Sequence, residues 1–176
     1  MTHPDDRVQW LTDLVRLEIV LWDRIDARLR HEHDLPLAHF QTLYTIARAP
    51  DGGLRIGDLA TQMCITVGGT SKLVDRIESV GLLRRAADPA DRRASRIVLT
   101  PAGRRTLTAA TRTYTADLAA TVDPVLTGPQ QRQMYGFVER LLTAVAADEA
   151  PPAPRRAGKV QPVPAPASRT ARSRTA

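Results

Sequence analysis

The sequence predicts a mainly α-helical fold with a small β-wing. A winged helix-turn-helix core over about residues 36–100 is flanked by terminal helices at about 6–32 and 101–147, and residues 150–176 form a tail. Three observations predict this. Residues 54–101 hold two short amphipathic stripes joined by a turn, then two strand-like apolar runs around a polar loop. The segments on either side are long and helical in period, and the first is apolar on more than one face. The positive charge of the folded part is concentrated in the middle.

Residues 6–32 contain no Pro or Gly, and Leu11, Leu14, Val15, Leu21, Trp22, Ile25 and Leu29 fit one helical stripe. Leu17, Ile19 and Val20 lie off it, so this helix is expected to be buried on two sides. Pro36 is expected in the first turn of a second helix, followed by Phe40, Leu43, Tyr44 and Ala47 at helical spacing. Pro50-Asp51-Gly52-Gly53 reads as a turn. Ile56, Leu59, Ala60 and Met63 make a short amphipathic helix. Thr66 is a good N-cap for the next one, over about 67–80. There Thr70, Leu73, Val74 and Ile77 can face inward, and Gly68, Gly69, Ser71, Lys72, Asp75 and Arg76 outward.

Gly81 suits a helix C-terminus. Leu82-Leu83 and Ile97-Val98-Leu99 read as strands bracketing a wing loop at 88–93. Thr100-Pro101 is a cap followed by a proline at the first helical position, and Pro124 should end that helix. Thr127 with Gln130 resembles a capping box. Met134, Phe137, Val138, Leu141, Leu142 and Val145 then form the cleanest stripe in the chain. The terminal helices carry more apolar surface than one copy can hide, which is what a homodimer needs. From Ala150 the composition collapses to Pro, Ala, Arg, Ser and Thr, and this tail is expected to be disordered.

With 176 residues, the chain can build one domain with a real core. No apolar run approaches the roughly 18 residues of a membrane helix, and MTHPDDRVQW lacks the apolar region of a secretory signal. A cytoplasmic protein is the expectation, and a single cysteine, Cys64, excludes an internal disulfide. The net charge of +6 is uneven: residues 55–112 carry 11 basic and 5 acidic side chains, residues 1–54 carry 6 and 9, and residues 113–150 carry 2 and 5. The tail adds six basic residues and no acid beyond position 150. A basic middle of this kind is the footprint of a polyanion-binding face. No glycine-rich phosphate loop, nucleophile elbow or HExxH is present, so an enzyme is not expected.

Specific runs extend the reading. Leu59-Ala60, then Ser71-Lys72-Leu73-Val74-Asp75-Arg76-Ile77-Glu78, then Gly81-Leu82-Leu83-Arg84-Arg85 occur in order. They are followed by Asp91-Arg92-Arg93-Ala94 and by Ile97-Val98-Leu99-Thr100-Pro101-Ala102-Gly103. The order resembles the MarR family of winged-helix transcription regulators over about residues 6–147. The resemblance implies a recognition helix, a wing with an Asp-x-Arg pattern at Asp91 and Arg93, and terminal dimerisation helices. It also implies a homodimer on a pseudo-palindromic double-stranded DNA operator, released by a small aromatic or phenolic ligand.

The residue chemistry can be argued separately. A helix entering the major groove reads base edges with its N-terminal side chains, which makes Thr66, Gly68, Gly69, Thr70, Ser71, Lys72 and Arg76 candidates. Gly68-Gly69 either allows close backbone approach to DNA or accommodates tight packing. Arg92 and Arg93 at the loop tip suit a minor groove; Arg84, Arg85 and Arg96 suit phosphates. Trp22, His39 and Tyr44 are candidate ligand-pocket residues. His31, His33, Asp34 and His39 match no closed zinc motif, and neither metal nor cofactor is expected. Cys64, between Met63 and Ile65, reads as a buried structural thiol. The competing reading is a winged-helix dimerisation or protein-interaction module without a specific DNA site.

Overall fold

The computed structural model describes residues 4–50, 52–88, 91 and 94–148. The elements are α1 (Pro4–His33), α2 (Leu37–Ala47), β1 (Gly53–Leu54), α3 (Ile56–Gln62), α4 (Val67–Ser79), β2 (Leu83–Ala87), β3 (Ser95–Leu99), α5 (Pro101–Val122) and α6 (Gly128–Asp148). The three strands form one antiparallel sheet in the order β1-β3-β2. β2 and β3 pair from Leu83↔Leu99 to Ala87↔Ser95. Both run further than the apolar runs suggested, because alternation on a half-exposed hairpin leaves polar residues inside the ladder.

β1 was expected only as the end of a turn. It pairs Gly53↔Val98 and Leu54↔Ile97, and a two-residue strand is too short to leave a period of its own. Pro36 stands at the N-cap of α2, one place before the first turn expected for it.

The core is central. Ile25 and Leu29 of α1 meet Leu37, Phe40, Leu43 and Ile46 of α2, Leu59 of α3, Val74 and Ile77 of α4, Leu83, Ile97 and Leu99 of the sheet, and Leu107 and Ala110 of α5. Only the C-terminal third of α1 is buried, and the apolar side chains of α6 stay exposed. No helix among the described residues is long and apolar enough to cross a membrane.

Helix ends follow local chemistry. The hydroxyl of Thr66 accepts from the Gly69 amide at 3.1 Å, and that of Thr100 from the Gly103 amide at 2.9 Å. The side chain of Gln130 accepts from the Thr127 amide at 2.8 Å at the start of α6. α3 differs: Arg55 is its N-cap residue and makes no side-chain cap bond, forgoing a term usually worth about 0.5–2 kcal/mol.

Two helices end in the same closed turn. After α4, Gly81 adopts φ +75°; its amide donates to Glu78 O at 2.9 Å and that of Leu82 to Ile77 O at 3.2 Å. After α3, Cys64 takes φ +53°, with Cys64 N to Thr61 O and Ile65 N to Ala60 O both at 3.1 Å. These are the paired bonds of a left-handed helix terminus, a place that glycine usually fills. Cys64 is exposed. The expectation of a buried thiol is therefore corrected: a residue at this corner points outward whatever its hydrophobicity.

Gly103 is required for another reason. A Cβ there would lie 2.0 Å from the Leu82 carbonyl oxygen, which itself accepts from the Thr100 amide at 3.1 Å. The first turn of α5 is thus pressed against the entry to β2, fixing the wing's root against the α5 helix.

Candidate nucleic-acid interface

Helical phasing sorts the residues of α4. Thr70, Val74 and Ile77 are buried, and Leu73 packs partly against the core. The opposite line carries Gly68, Lys72, Asp75 and Ser79, all exposed, with exposed Arg76 beside it and half-buried Ser71 on the other flank. Lys72 and Arg76, four residues apart, therefore share one solvent-facing region.

Thr70 is a correction. It is 0% exposed, and its hydroxyl donates to Thr66 O at 3.0 Å. It cannot present that group to a base edge, because the same inward phase that makes it a core residue removes it from the outer face. Thr66 is held by its capping role. The ambiguity at the two glycines is narrowed. A Cβ on Gly68 would meet nothing within 4 Å, and one on Gly69 would meet only Thr66 Oγ1 at 3.1 Å. Packing within the chain does not demand Gly68.

The sheet orders its arginines differently from one another. Arg84 is exposed. Arg85 donates to Asp75 at 2.7 Å and pairs with Glu78, whose other oxygen accepts from the Arg85 amide at 2.9 Å. The hydrogen bond to Asp75, more than the attraction of Glu78, raises the pKa of Arg85 against the opposing effect of burial. Its guanidinium is committed within the domain rather than offered to phosphate. Half-buried Arg96 donates to the carbonyl of Gly53, tying β3 to β1. That engagement replaces the outward phosphate contact expected of it.

The wing's base closes through Asp88 N to Ala94 O at 3.1 Å and Ala94 N to Asp91 O at 2.9 Å. Arg92 and Arg93, the expected minor-groove residues, lie outside the described residues, as does the tail at 150–176. Arg55 and Asp88 were not singled out in the sequence. Arg55 Nε donates to Asp88 Oδ2 at 2.7 Å, and Asp88 is 5% exposed. A charged residue where a capping hydroxyl is preferred was the signal that could have found Arg55.

Trp22, His39 and Tyr44 have different surroundings. Trp22 packs against the core. Tyr44, 42% exposed, stacks on Phe40 at 6.0 Å, and Phe40 stacks on Tyr114 at 5.1 Å. Arg48 lies over the Tyr44 ring and donates to its hydroxyl at 3.2 Å. Burial holds the Tyr114 pKa above its ordinary value. His39, on α2, is half-buried and its pKa is lowered, first by burial and then by Arg30 and Arg76. A large apolar cleft of about 710 Å³ lies elsewhere, between α1, α5 and α6, lined by Leu17, Leu21, Leu118, Val122, Met134 and Tyr135 among others. None of the three expected pocket residues lines it.

Residues 33–94 match the model of the MarR family. YsmB of Bacillus subtilis, described as an uncharacterized HTH-type transcriptional regulator, is 43% identical over 54 residues, 31% of this chain. The match spans 37% of the length of that curated relative. Among solved structures, Sco3205 from Streptomyces coelicolor, a MarR family transcriptional regulator in complex with DNA, is similar with a TM-score of 0.70 and 25% identity. That likeness covers 83% of this chain and 94% of Sco3205. The transcriptional regulator BldR from Sulfolobus solfataricus shares the fold, with a TM-score of 0.72 and 21% identity over 82% of this chain and 99% of its own. With its helix-turn-helix, three-stranded wing sheet and long terminal helices in this order, the chain carries a MarR-family match at residues 33–94 inside a fold shared with these solved regulators.

Proposed function

We propose that the chain is a homodimeric, cytoplasmic, DNA-binding transcription regulator: a repressor of a pseudo-palindromic operator, released by a small aromatic or phenolic ligand. The observation that carries the DNA-binding part is the outer face of α4. It places Lys72 and Arg76 on solvent beside a wing, inside the segment that holds the folded chain's positive excess. Lys72 and Arg76 are fit to read base edges, Arg84 to meet phosphate, and the Arg92-Arg93 loop to enter the flanking minor groove. That Sco3205, similar over 83% of this chain, is solved in complex with DNA supports a DNA partner for this fold.

Dimerisation is supported by the exposed apolar residues of α1 and α6, among them Leu11, Leu14, Phe137 and Leu141. A dimer sets two recognition helices about one helical turn apart, which the two-fold operator mirrors. The test is a footprint of the purified protein on the intergenic DNA beside its own gene. A two-fold protected site, lost on adding an aromatic acid or phenol, is the expected result. Binding that is equal on unrelated DNA of the same length would overturn it.

A further inference from the structure

We infer that Arg55 is a positioning residue for DNA binding: through Asp88 it fixes the angle at which the wing leaves the helix-turn-helix. The inference rests on the DNA-binding reading above. Arg55 holds the N-cap position of α3 without capping it, whereas α4 and α5 both start on a threonine whose hydroxyl does cap. Its side chain is directed instead to Asp88, 2.7 Å away.

Topology makes that contact a cross-brace. Arg55 follows β1 on one edge of the sheet, Asp88 follows β2 on the other, and β3 runs between them. The pair therefore spans the sheet's width. Asp88 is also where the wing loop begins, its amide bonded to Ala94 O. A carboxylate this buried needs charged or polar partners to stay there, so the loop's first residue is held at a fixed point relative to α3. Arg96, bound to the carbonyl of Gly53, fastens β3 to β1 within the same sheet.

The Arg55 side chain is about half exposed, which screens its end of the pair, while the buried Asp88 depends on its partners. What the pair sets is direction. Arg92 and Arg93 follow Asp88 by four and five positions in the sequence, so where Asp88 is held sets where the segment carrying them begins.

Arg55→Thr separates geometry from stability, because threonine supplies the missing N-cap hydroxyl while removing the pair. Wild type, R55T and R55K are compared on one DNA fragment that the wild-type protein selects from a random library. Protection of guanine N7 from methylation reads the major groove, and hydroxyl-radical protection of the flanking sugars reads the minor groove. R55T is expected to remain folded at the assay temperature, the new N-cap hydroxyl offsetting part of the cost of taking a partner from the buried Asp88, to keep the methylation protection and to lose the flanking minor-groove protection. Its affinity should fall about tenfold, and R55K should recover part of both losses. Unchanged minor-groove protection in R55T overturns the inference. So does loss of both protections with a lowered melting temperature, which makes Arg55 merely structural. A wild-type protein that selects no fragment at all defeats the DNA-binding reading itself, and this inference with it.

Discussion

Asp75 and Arg85 are bound at 2.7 Å between α4 and β2, so a carboxylate on the outward line of the recognition helix is neutralised from inside the domain. Glu78 shares the same guanidinium. One cation thus masks two anions on a surface proposed to approach phosphates. Arg85→Ala exposes both. The pair is too solvated for its loss to cost more than about 1 kcal/mol of folding stability. DNA affinity should nevertheless fall on the order of tenfold, and more steeply at low salt, where repulsion is least screened. Anisotropy titrations at two salt concentrations, beside a thermal melt, check both halves.

Arg76 and Thr70 lie on the same helix with opposite phases, one exposed and one fully buried. Arg76→Ala should change base preference at one operator position by about 1–3 kcal/mol if the contact is bidentate. Thr70→Val should leave the preferred sequence as it was, since its hydroxyl already bonds Thr66 O. A selection from randomised DNA reads the difference, and a Thr70→Val consensus that shifts would place that side chain back at the DNA.

Cys64 sits at φ +53°, a conformation that costs an L-residue roughly 1–2 kcal/mol and glycine almost nothing. Cys64→Gly should therefore be neutral or stabilising by up to about 1 kcal/mol, the unfolded chain's greater freedom offsetting part of the gain. Cys64→Val, β-branched at the same corner, should destabilise. Urea midpoints at constant m-value measure both.

That corner also marks what the sequence could and could not tell. Thr66, Thr100-Pro101 and Gly81 were legible because a cap or a terminal glycine acts on its own neighbours. The core stripe of α4 was legible because burial imposes a period. Cys64 was misread because hydrophobicity was weighed without the backbone turn that ejects it. Thr70 was placed on both lists, inward by phase and outward by chemistry, and phase decided. Arg55 with Asp88, 33 positions apart, and Arg96 with the carbonyl of Gly53 are made by the sheet's strand order, which no local pattern encodes.

The depressed pKa of His39, caused first by burial and then by Arg30 and Arg76, has a definite sign. The folded state binds this proton less readily than the unfolded chain, so between the two pKa values the unfolded state carries more protons. Stability then rises with pH and falls as pH drops from the ordinary histidine range through the lowered folded value. His39→Gln should flatten that part of the profile, with a smaller difference in melting temperature between pH 7 and pH 5 than in the wild type. An equal slope in both proteins would assign the acid sensitivity to other groups.

Leu141 is exposed on α6, in one stripe with Phe137, Val138 and Val145, while Leu11, Leu14 and Val15 are exposed on α1. Apolar surface of this extent is unusual on a monomer, and a second copy would cover it. Leu141→Glu puts a charge into that face without touching the core. Light scattering should show the mass of a dimer for wild type at micromolar concentration and a shift toward half that mass for the variant. No residue of α6 belongs to the buried core cluster, so far-UV circular dichroism should stay close to wild type. Operator affinity should fall by orders of magnitude, because one recognition helix and one wing then bind a half-site alone. A variant that stays dimeric would move the interface off this stripe, and a wild-type monomer that still gives a two-fold footprint would separate dimerisation from the α1 and α6 faces altogether.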